Sequence, residues 1–161
     1  MNRVADGFTV IELMAVVLIT AVLLTLAVPA FLDLLARRRL EGAANELSTD
    51  LHYARSEAVS RQLDVALTTL ANGTGYEIAA ASTPAPTEIK RVALPAELTV
   101  TGGVSLTYTG LRGIPLETSG GDESITVSSS RTAAQLQVDN NFMGRVRLCS
   151  PDGSFKGYAP C

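Results

Sequence analysis

The sequence has only one histidine and two cysteines, the side chains that most often bind zinc, and it has no tryptophan. Cys149 and Cys161 lie close together near the C-terminal end of the sequence, far from His52. Zinc sites need cysteine or histidine ligands at short, regular spacings, and this arrangement does not supply them. We therefore predict no metal ion and no other cofactor.

The motifs of common enzymes are also missing from the sequence. It has no nucleophile elbow, no Walker loop, no HExxH helix and no evident paired-carboxylate cleft. Its net charge of −3 gives no general attraction to nucleic acid or anionic lipid, so such binding would need a local patch. We predict that the protein is not an enzyme.

Apolar residues are abundant and unevenly distributed. With 161 residues, 47% of them hydrophobic, the chain can form one folded domain and an appendage. From Leu13 to Val28 no residue is charged and only Thr20 and Thr25 are polar. At about 1.5 Å per residue a helix there spans roughly 24 Å, and apolar flanks from residue 8 to residue 32 extend it to a bilayer core of about 30 Å. We predict a membrane-spanning helix.

A cleaved secretory signal peptide is the alternative interpretation of this apolar run. Small residues from Ala27 to Ala30 loosely imitate its cleavage site, but the start of the chain has only Arg3 as a basic residue. After the run, moreover, apolar residues recur at the three- and four-residue steps of one helix face: Leu40, Ala43, Ala44, Leu47, Leu51, Ala54 and Ala58. We therefore predict one helix over residues 8–61, apolar all round at first, amphipathic later, and kinked at Pro29.

Beyond Leu63 the sequence changes to short β-prone runs separated by turn-forming residues. The runs are DVALTTL, GYEIAA, ELTV, SLTY, SITVSS, AQLQV and GRVRLC. Short strands at this spacing favour an antiparallel sheet, and the amphipathic half of the helix would cover one of its faces. The predicted class is α+β.

Glu12 is a carboxylate at the start of the uncharged run. A charged side chain at the middle of a bilayer costs about 2.5 to 3.5 kcal/mol, so such a residue usually has a role and a positive partner. A local interpretation is a capping box, in which Thr9 and Glu12 satisfy free amides at the helix start. The residues alone leave both interpretations open.

The string GFTVIEL from Gly7 to Leu13, followed by a long apolar run, closely resembles the class III signal of type IV prepilins. The resemblance implies that a prepilin peptidase cleaves between Gly7 and Phe8, and that Phe8 becomes the N-methylated first residue. It also implies that Glu12 pairs with the new amine of Phe8 on a neighbouring subunit during assembly. Such a pairing would give the carboxylate its partner and fix register.

The same resemblance implies a type IV pilin-like fold, in which a long N-terminal α-helix packs on an antiparallel β-sheet head. Residues 1–7 would be the prepilin leader and residues 8–35 the transmembrane and filament-core half of the helix. Residues 36–161 would be the periplasmic head, including the amphipathic half of the helix. The chain would cross the inner membrane once until it joins other pilins in a filament.

The string ARSEA from Ala54 to Ala58 narrows the resemblance to the GspH/FimT family of pseudopilins and minor pilins. Two alanines at a four-residue step allow close approach to a sheet, and we expect Arg55 and Glu57 to face elsewhere. His52, in the same stretch, is expected to be a surface or helix-packing residue and not a ligand. The string is typical of low-abundance members, which disfavours a major pilin.

The two cysteines have a different chemistry if the N-terminal segment carries the rest of the chain across a membrane. Cys149 and Cys161 would then meet an oxidising compartment, and we predict a disulfide between them. Two free thiols are the alternative. The bond would close the loop SPDGSFKGYAP beside the last predicted strand.

The predicted last strand, Gly144–Cys149, carries Arg145 and Arg147 on one face, because side chains alternate along a strand. Two neighbouring guanidiniums make a phosphate-sized site. From residue 142 to the end, Asp152 is the one acid against these arginines and Lys156, so the segment is locally basic. Alternatively, the arginines only discourage pairing at a sheet edge.

The string GRVR beside a cysteine-closed loop resembles FimT-type minor pilins, in which a G-R-x-R motif is associated with DNA binding during natural transformation. This resemblance implies a minor pilin that takes part in pilus assembly and binds double-stranded DNA through Arg145, Arg147 and Lys156. The alternative is a GspH-like pseudopilin of a type II secretion system, with protein partners only.

Overall fold

A computed structural model of the chain describes residues 9–102, 105–116, 123–153 and 155–161. The chain divides into two compact units, one that ends at Leu35 and one that runs from Ala36 to Cys161. The predicted cleavage site between Gly7 and Phe8 lies outside the described residues.

A single helix, α1, runs from Val10 to Arg61 and includes Pro29. Its apolar part is long and apolar enough to cross a membrane, and none of its side chains there is buried. The two hydroxyls of this part donate to carbonyls of the preceding turn: Thr20 Oγ1 lies 2.6 Å from the Val16 oxygen and Thr25 Oγ1 lies 2.7 Å from the Val22 oxygen. The threonines therefore add no unsatisfied polar group to an apolar surface.

From Ala36 onward α1 buries one stripe of small and branched side chains. The buried residues follow three- and four-residue steps, as predicted: Ala36, Leu40, Ala43, Ala44, Leu47, Asp50, Leu51, Ala54 and Ala58. Ala36 and Asp50 are the two members of this stripe that the predicted pattern did not include, and Asp50 is the polar one.

Within the described residues, eight strands follow the helix: β1 Val65–Thr69, β2 Gly75–Ala80, β3 Thr87–Ala93, β4 Leu98–Gly102, β5 Ser105–Tyr108, β6 Glu123–Ser129, β7 Gln135–Asn140 and β8 Val146–Cys149. They form two four-stranded sheets with the orders β3-β2-β1-β5 and β4-β6-β7-β8. All strand pairs within the sheets are antiparallel, which confirms the predicted pairing. The division into two sheets was not predicted.

One core joins the helix stripe to both sheets. Inward-facing residues alternate along the strands, as Leu136 and Val138 do in β7 and Ile125 and Val127 do in β6. The first sheet contributes a similar set: Val65, Leu67, Tyr76, Ile78, Ala80, Leu106 and Tyr108. The α+β architecture with a helix on antiparallel sheet is therefore confirmed.

A polar group within this core ties α1 to the first sheet. Asp50 is only 5% exposed. Its Oδ2 accepts hydrogen bonds from the Tyr76 hydroxyl at 2.8 Å and from Lys90 Nζ at 2.7 Å. Burial, chiefly, and the Asp50 carboxylate raise the pKa of Tyr76. The hydrogen bond to Asp50 is the main cause that raises the pKa of Lys90. A buried carboxylate without these donors would be costly.

Replacing Lys90 with methionine should destabilise the head. The change leaves buried Asp50 with one donor, and the cost of an under-satisfied buried group is about 1 to 3 kcal/mol. Denaturant unfolding of the full chain in detergent, followed by circular dichroism, measures it. The matched control is Arg91→Met on the same strand, where the exposed pairs with Glu77 and Glu88 are worth at most about 1 kcal/mol.

The stability that Lys90 provides should depend on pH in a defined direction. Because the pKa of Lys90 is raised above its ordinary value of 10.5, the stabilisation is complete below that value and is lost as the pH rises through the raised one. The difference between the parent and Lys90→Met should stay constant from about pH 7 to 9 and shrink at higher pH. A difference that grows with pH would contradict the assignment.

Candidate nucleic-acid interface

The turn from Asn141 to Arg145 joins β7 to β8 and is fixed by its own hydrogen bonds. Asn141 Oδ1 accepts from the backbone N–H of Met143 at 3.1 Å and of Arg145 at 2.8 Å. Gly144 has a φ of 74°, which favours glycine. The last strand was predicted to begin at Gly144, and this was wrong: the turn holds residues 144 and 145, so β8 begins at Val146.

Arg55 of α1 holds this turn against the helix. Its Nη1 donates to the Gly144 carbonyl oxygen at 3.1 Å, and the side chain is partly buried. The expectation that Arg55 faces away from the sheet was therefore wrong. Ala54 and Ala58 on either side are fully buried, as the close-approach argument predicted. Glu57 pairs with Arg61 of the same helix at 2.6 Å.

The two predicted arginines lie on one surface, Arg147 in β8 and Arg145 in the turn before it. Arg145 and Arg147 are exposed, whereas Val146 and Leu148 pack against the core. A shallow depression is lined by both arginines together with Asp139, Asn141 and Val146. The structure therefore brings Arg145 and Arg147 together on one surface.

Asp139 of β7 limits the positive charge of this surface. It lies opposite Arg147 in the β7–β8 register, and its Oδ2 accepts from Arg147 Nη2 at 3.1 Å. The Arg147 side chain is 65% exposed, so the pair is screened by water and worth at most about 1 kcal/mol. The guanidinium of Arg145 has no partner among the described residues.

A disulfide joins Cys149 and Cys161, which confirms the predicted bond. Asp139 Oδ2 lies 3.2 Å from Cys149 Sγ. A carboxylate and two sulfur atoms are thus clustered here. The sulfurs are bonded to each other, however, so they are not thiolate ligands and the cluster is not a metal site.

The loop closed by the disulfide is anchored on α1. Phe155 is buried and meets the Tyr158 ring edge-on, with 5.5 Å between the ring centroids. The Tyr158 hydroxyl donates to Glu41 Oε1 at 3.2 Å. Glu41 and Arg55 are separated by roughly 21 Å along the helix axis, so the loop and the arginine turn meet α1 at different levels. Lys156 is exposed on this loop and does not line the depression.

The other predicted site residue that the structure describes is Glu12, in the first turn of α1. Its backbone N–H donates to Thr9 Oγ1 at 3.3 Å, so the Thr9 half of a capping box is formed. The Glu12 carboxylate is exposed and has no partner within residues 9–161 as far as they are described. His52 is exposed on α1, as expected for a surface residue.

Two residues that shape this surface were missed by the sequence analysis. Asp139 could not be found, because its place opposite Arg147 depends on the β7–β8 register. The position of Arg55 could have been predicted, because it lies in the sequence between Ala54 and Ala58, two alanines of the predicted stripe that approach the sheet.

Comparisons with known proteins agree with this fold. Two crystal forms of the type IV minor pilin FimU of Pseudomonas aeruginosa PAO1 match with 26% and 25% identity and TM-scores of 0.57 and 0.54. The matches cover 70% and 68% of this chain and 89% and 91% of FimU. The minor pseudopilin EpsH of the Vibrio cholerae type 2 secretion system matches at 12% identity and a TM-score of 0.58, over 70% of this chain and 98% of EpsH, and shares the fold alone.

The predicted type IV pilin-like fold is therefore confirmed. A search among curated proteins found no significant match. The family model described as type II transport protein GspH matches residues 43–156, which is most of the chain. The chain belongs to the GspH family.

Proposed function

We propose that this protein is a minor pilin, which enters a type IV pilus from the inner membrane and contacts DNA there for uptake in natural transformation. Membership of the GspH family and the similarity to the minor pilin FimU support the assembly role. The observation that carries it is the apolar half of α1, whose side chains are exposed. Such a surface needs apolar surroundings. A membrane supplies lipid, and a filament core supplies the apolar helices of other subunits.

The start of the chain gives that helix its processing and its partner. A prepilin peptidase cleaves between Gly7 and Phe8, and Phe8 is methylated on its new amine. In the filament, this amine meets the Glu12 carboxylate of a neighbouring subunit. The proposal is supported by the Glu12 geometry, since its amide is used by the cap while its carboxylate has no partner among the described residues. A single buried charge would oppose assembly, whereas a pair sets the axial position.

Replacing Glu12 with glutamine separates the cap from the charge. Thr9 caps the backbone N–H of residue 12, and glutamine is also accepted at this position of a capping box, so the helix start is retained. The neighbour's amine loses its counter-charge, at a cost of about 3 to 5 kcal/mol. Incorporation into sheared filaments, measured by immunoblot against the membrane pool, should fall more than about tenfold.

The control for this experiment is Glu88→Gln, which removes one exposed carboxylate of the head. It should enter filaments like the parent. Equal incorporation of Glu12→Gln and the parent would show that the carboxylate only caps the helix.

The second part of the proposal is a contact between the arginine depression and the phosphate backbone of double-stranded DNA. It is supported by two exposed guanidiniums on one surface, held by a strand and by a turn that Arg55 fixes. Backbone contacts of this kind are independent of base sequence. The cations are Arg145 and Arg147 in the depression and Lys156 on the separate loop closed by the disulfide, so affinity per subunit is weak and strongly dependent on salt. Several subunits in a filament, or a partner pilin, supply avidity.

Asp139 is the competitor in this contact. A phosphate that binds Arg147 at Nη2 replaces the carboxylate, which lies at 3.1 Å. Because the pair is exposed, that exchange is inexpensive, and a phosphate offers Arg147 the same bidentate geometry as a carboxylate. The contact is therefore weakened by Asp139 but not blocked.

The double variant Arg145→Ala with Arg147→Ala should lose most DNA binding. Fluorescence anisotropy with a labelled duplex at several salt concentrations measures the binding. The plot of log K against log salt should become less steep, its slope decreasing in magnitude by about 1.8. The control is Arg91→Ala with Arg131→Ala, which changes the net charge equally and should bind like the parent. Asp139→Asn should bind about two- to fivefold more tightly, because Arg147 is released. Unchanged binding in the first variant would remove both arginines from the site.

A pseudopilin of a type II secretion system is the second candidate, and the description of the matched family favours it. In that role the head binds only protein partners. A deletion strain distinguishes the two. Loss of DNA uptake with normal secretion of exoproteins supports the minor pilin, and the reverse supports the pseudopilin.

A further inference from the structure

A second turn lies beside the arginine turn and carries another unpaired cation. It runs from Thr109 to Ile114, where the Thr109 N–H donates to the Ile114 oxygen at 2.9 Å and the Gly113 N–H donates to the Thr109 oxygen at 2.8 Å. Arg112 is exposed at its tip. Its guanidinium has no partner among the described residues, and the sequence analysis gave it no role.

The two turns meet at a pair of glycines on either side of Arg55. A Cβ atom at Gly113 would lie 3.4 Å from Arg55 Nε, and a Cβ atom at Gly144 would lie 3.2 Å from Arg55 Nη1. The same position at Gly144 lies 3.5 Å from the Gly113 oxygen. Both glycines have positive φ, 60° at Gly113 and 74° at Gly144. The turns therefore contact each other, and Arg55 lies against both.

This contact fixes the spacing of two exposed cations. Arg112 directly precedes Gly113, and Arg145 directly follows Gly144. Because consecutive Cα atoms are about 3.8 Å apart, the Cα atoms of the two arginines lie within about 15 Å of each other. Duplex DNA carries one charge per roughly 1.7 Å of its axis, so this span faces about nine phosphate charges. One duplex can therefore meet both side chains at once.

The acids that contact the described parts of these turns have partners of their own. Neither turn contains an acidic residue. Asp64 lies at the base of the second turn, where its Oδ1 accepts from the Gly110 N–H at 3.0 Å, so the carboxylate is used to hold the turn. Of the other acids among the described residues, Asp139 pairs with Arg147, and Glu123, opposite Asn140 in the β6–β7 register, is partly buried.

We infer that Arg112 belongs to the same DNA contact as Arg145, and that Arg55 is a positioning residue that holds their two turns together. The inference rests on the proposed DNA binding and extends its surface from β8 to a second turn. Phosphates contact Arg112 and Arg145, whereas the guanidinium of Arg55 is engaged with the backbone of the head.

The test uses the full chain in detergent and a labelled duplex, with anisotropy measured across a salt series. Arg112→Gln should weaken binding about three- to tenfold and lower the salt slope by about 0.9. Its matched control is Arg131→Gln, which removes the same charge from another exposed arginine. Arg131 precedes β7, roughly 20 Å from the arginine turn along that strand, and its loss should change neither affinity nor slope.

Arg55→Met tests the positioning role. It removes the hydrogen bond to the Gly144 oxygen, so affinity should fall while the salt slope stays at the parent value. A slope that falls by about 0.9 would mean that Arg55 itself contacts phosphate, which would overturn its positioning role. Circular dichroism establishes that the variant is folded, and Arg55→Lys, which keeps a donor, should recover part of the affinity.

The outcomes for this inference differ from those for the proposed function. If Arg145→Ala with Arg147→Ala abolishes binding while Arg112→Gln binds with the parent's affinity and slope, the arginine depression stands and the inference about Arg112 fails. If the parent does not bind the duplex, or the double variant binds like the parent, the proposed DNA contact fails and the inference fails with it.

Discussion

The buried stripe of α1 is the constraint on which the head depends. Small side chains such as Ala44, Ala54 and Ala58 let the helix backbone approach both sheets closely, and leucines between them fill the core. A larger residue at any of these alanines would push the helix away from the sheets. Polar residues also connect the helix to the head: Asp50, within the stripe, binds Tyr76 and Lys90, and Arg55, beside it, binds the turn before β8.

The helix thus positions the candidate interface as well as the core. Arg55 orients the turn that presents Arg145, and it also lies against Gly113 of the neighbouring turn. The cations themselves stay in water, where interactions with phosphate are modest and screened. The chain as a whole has a net charge of −3, so this surface can attract DNA only through its local positive charge. Asp139 reduces that local charge by pairing with Arg147. These features fit repeated weak contacts along a filament better than tight binding by one subunit.

Patterns that are local in sequence predicted their structures well. The helix was expected over residues 8–61 and is observed from Val10 to Arg61, and its apolar stripe follows from a period of 3.6 residues. The alternation around Arg147 and the Cys149–Cys161 bond were also predicted. Features that depend on non-local pairing were not. The division into two sheets, Asp139 opposite Arg147 and the contact from Arg55 to Gly144 all require the register of distant segments.

The central claim is that the apolar run of α1 remains part of the working protein, whose chain begins at Phe8. Intact-mass measurement of the chain purified from cell membranes tests this most directly. The account predicts a protein that begins at Phe8 and carries one added methyl group. A chain that still begins at Met1, or that has lost the apolar run through cleavage near residues 27–30, would contradict it.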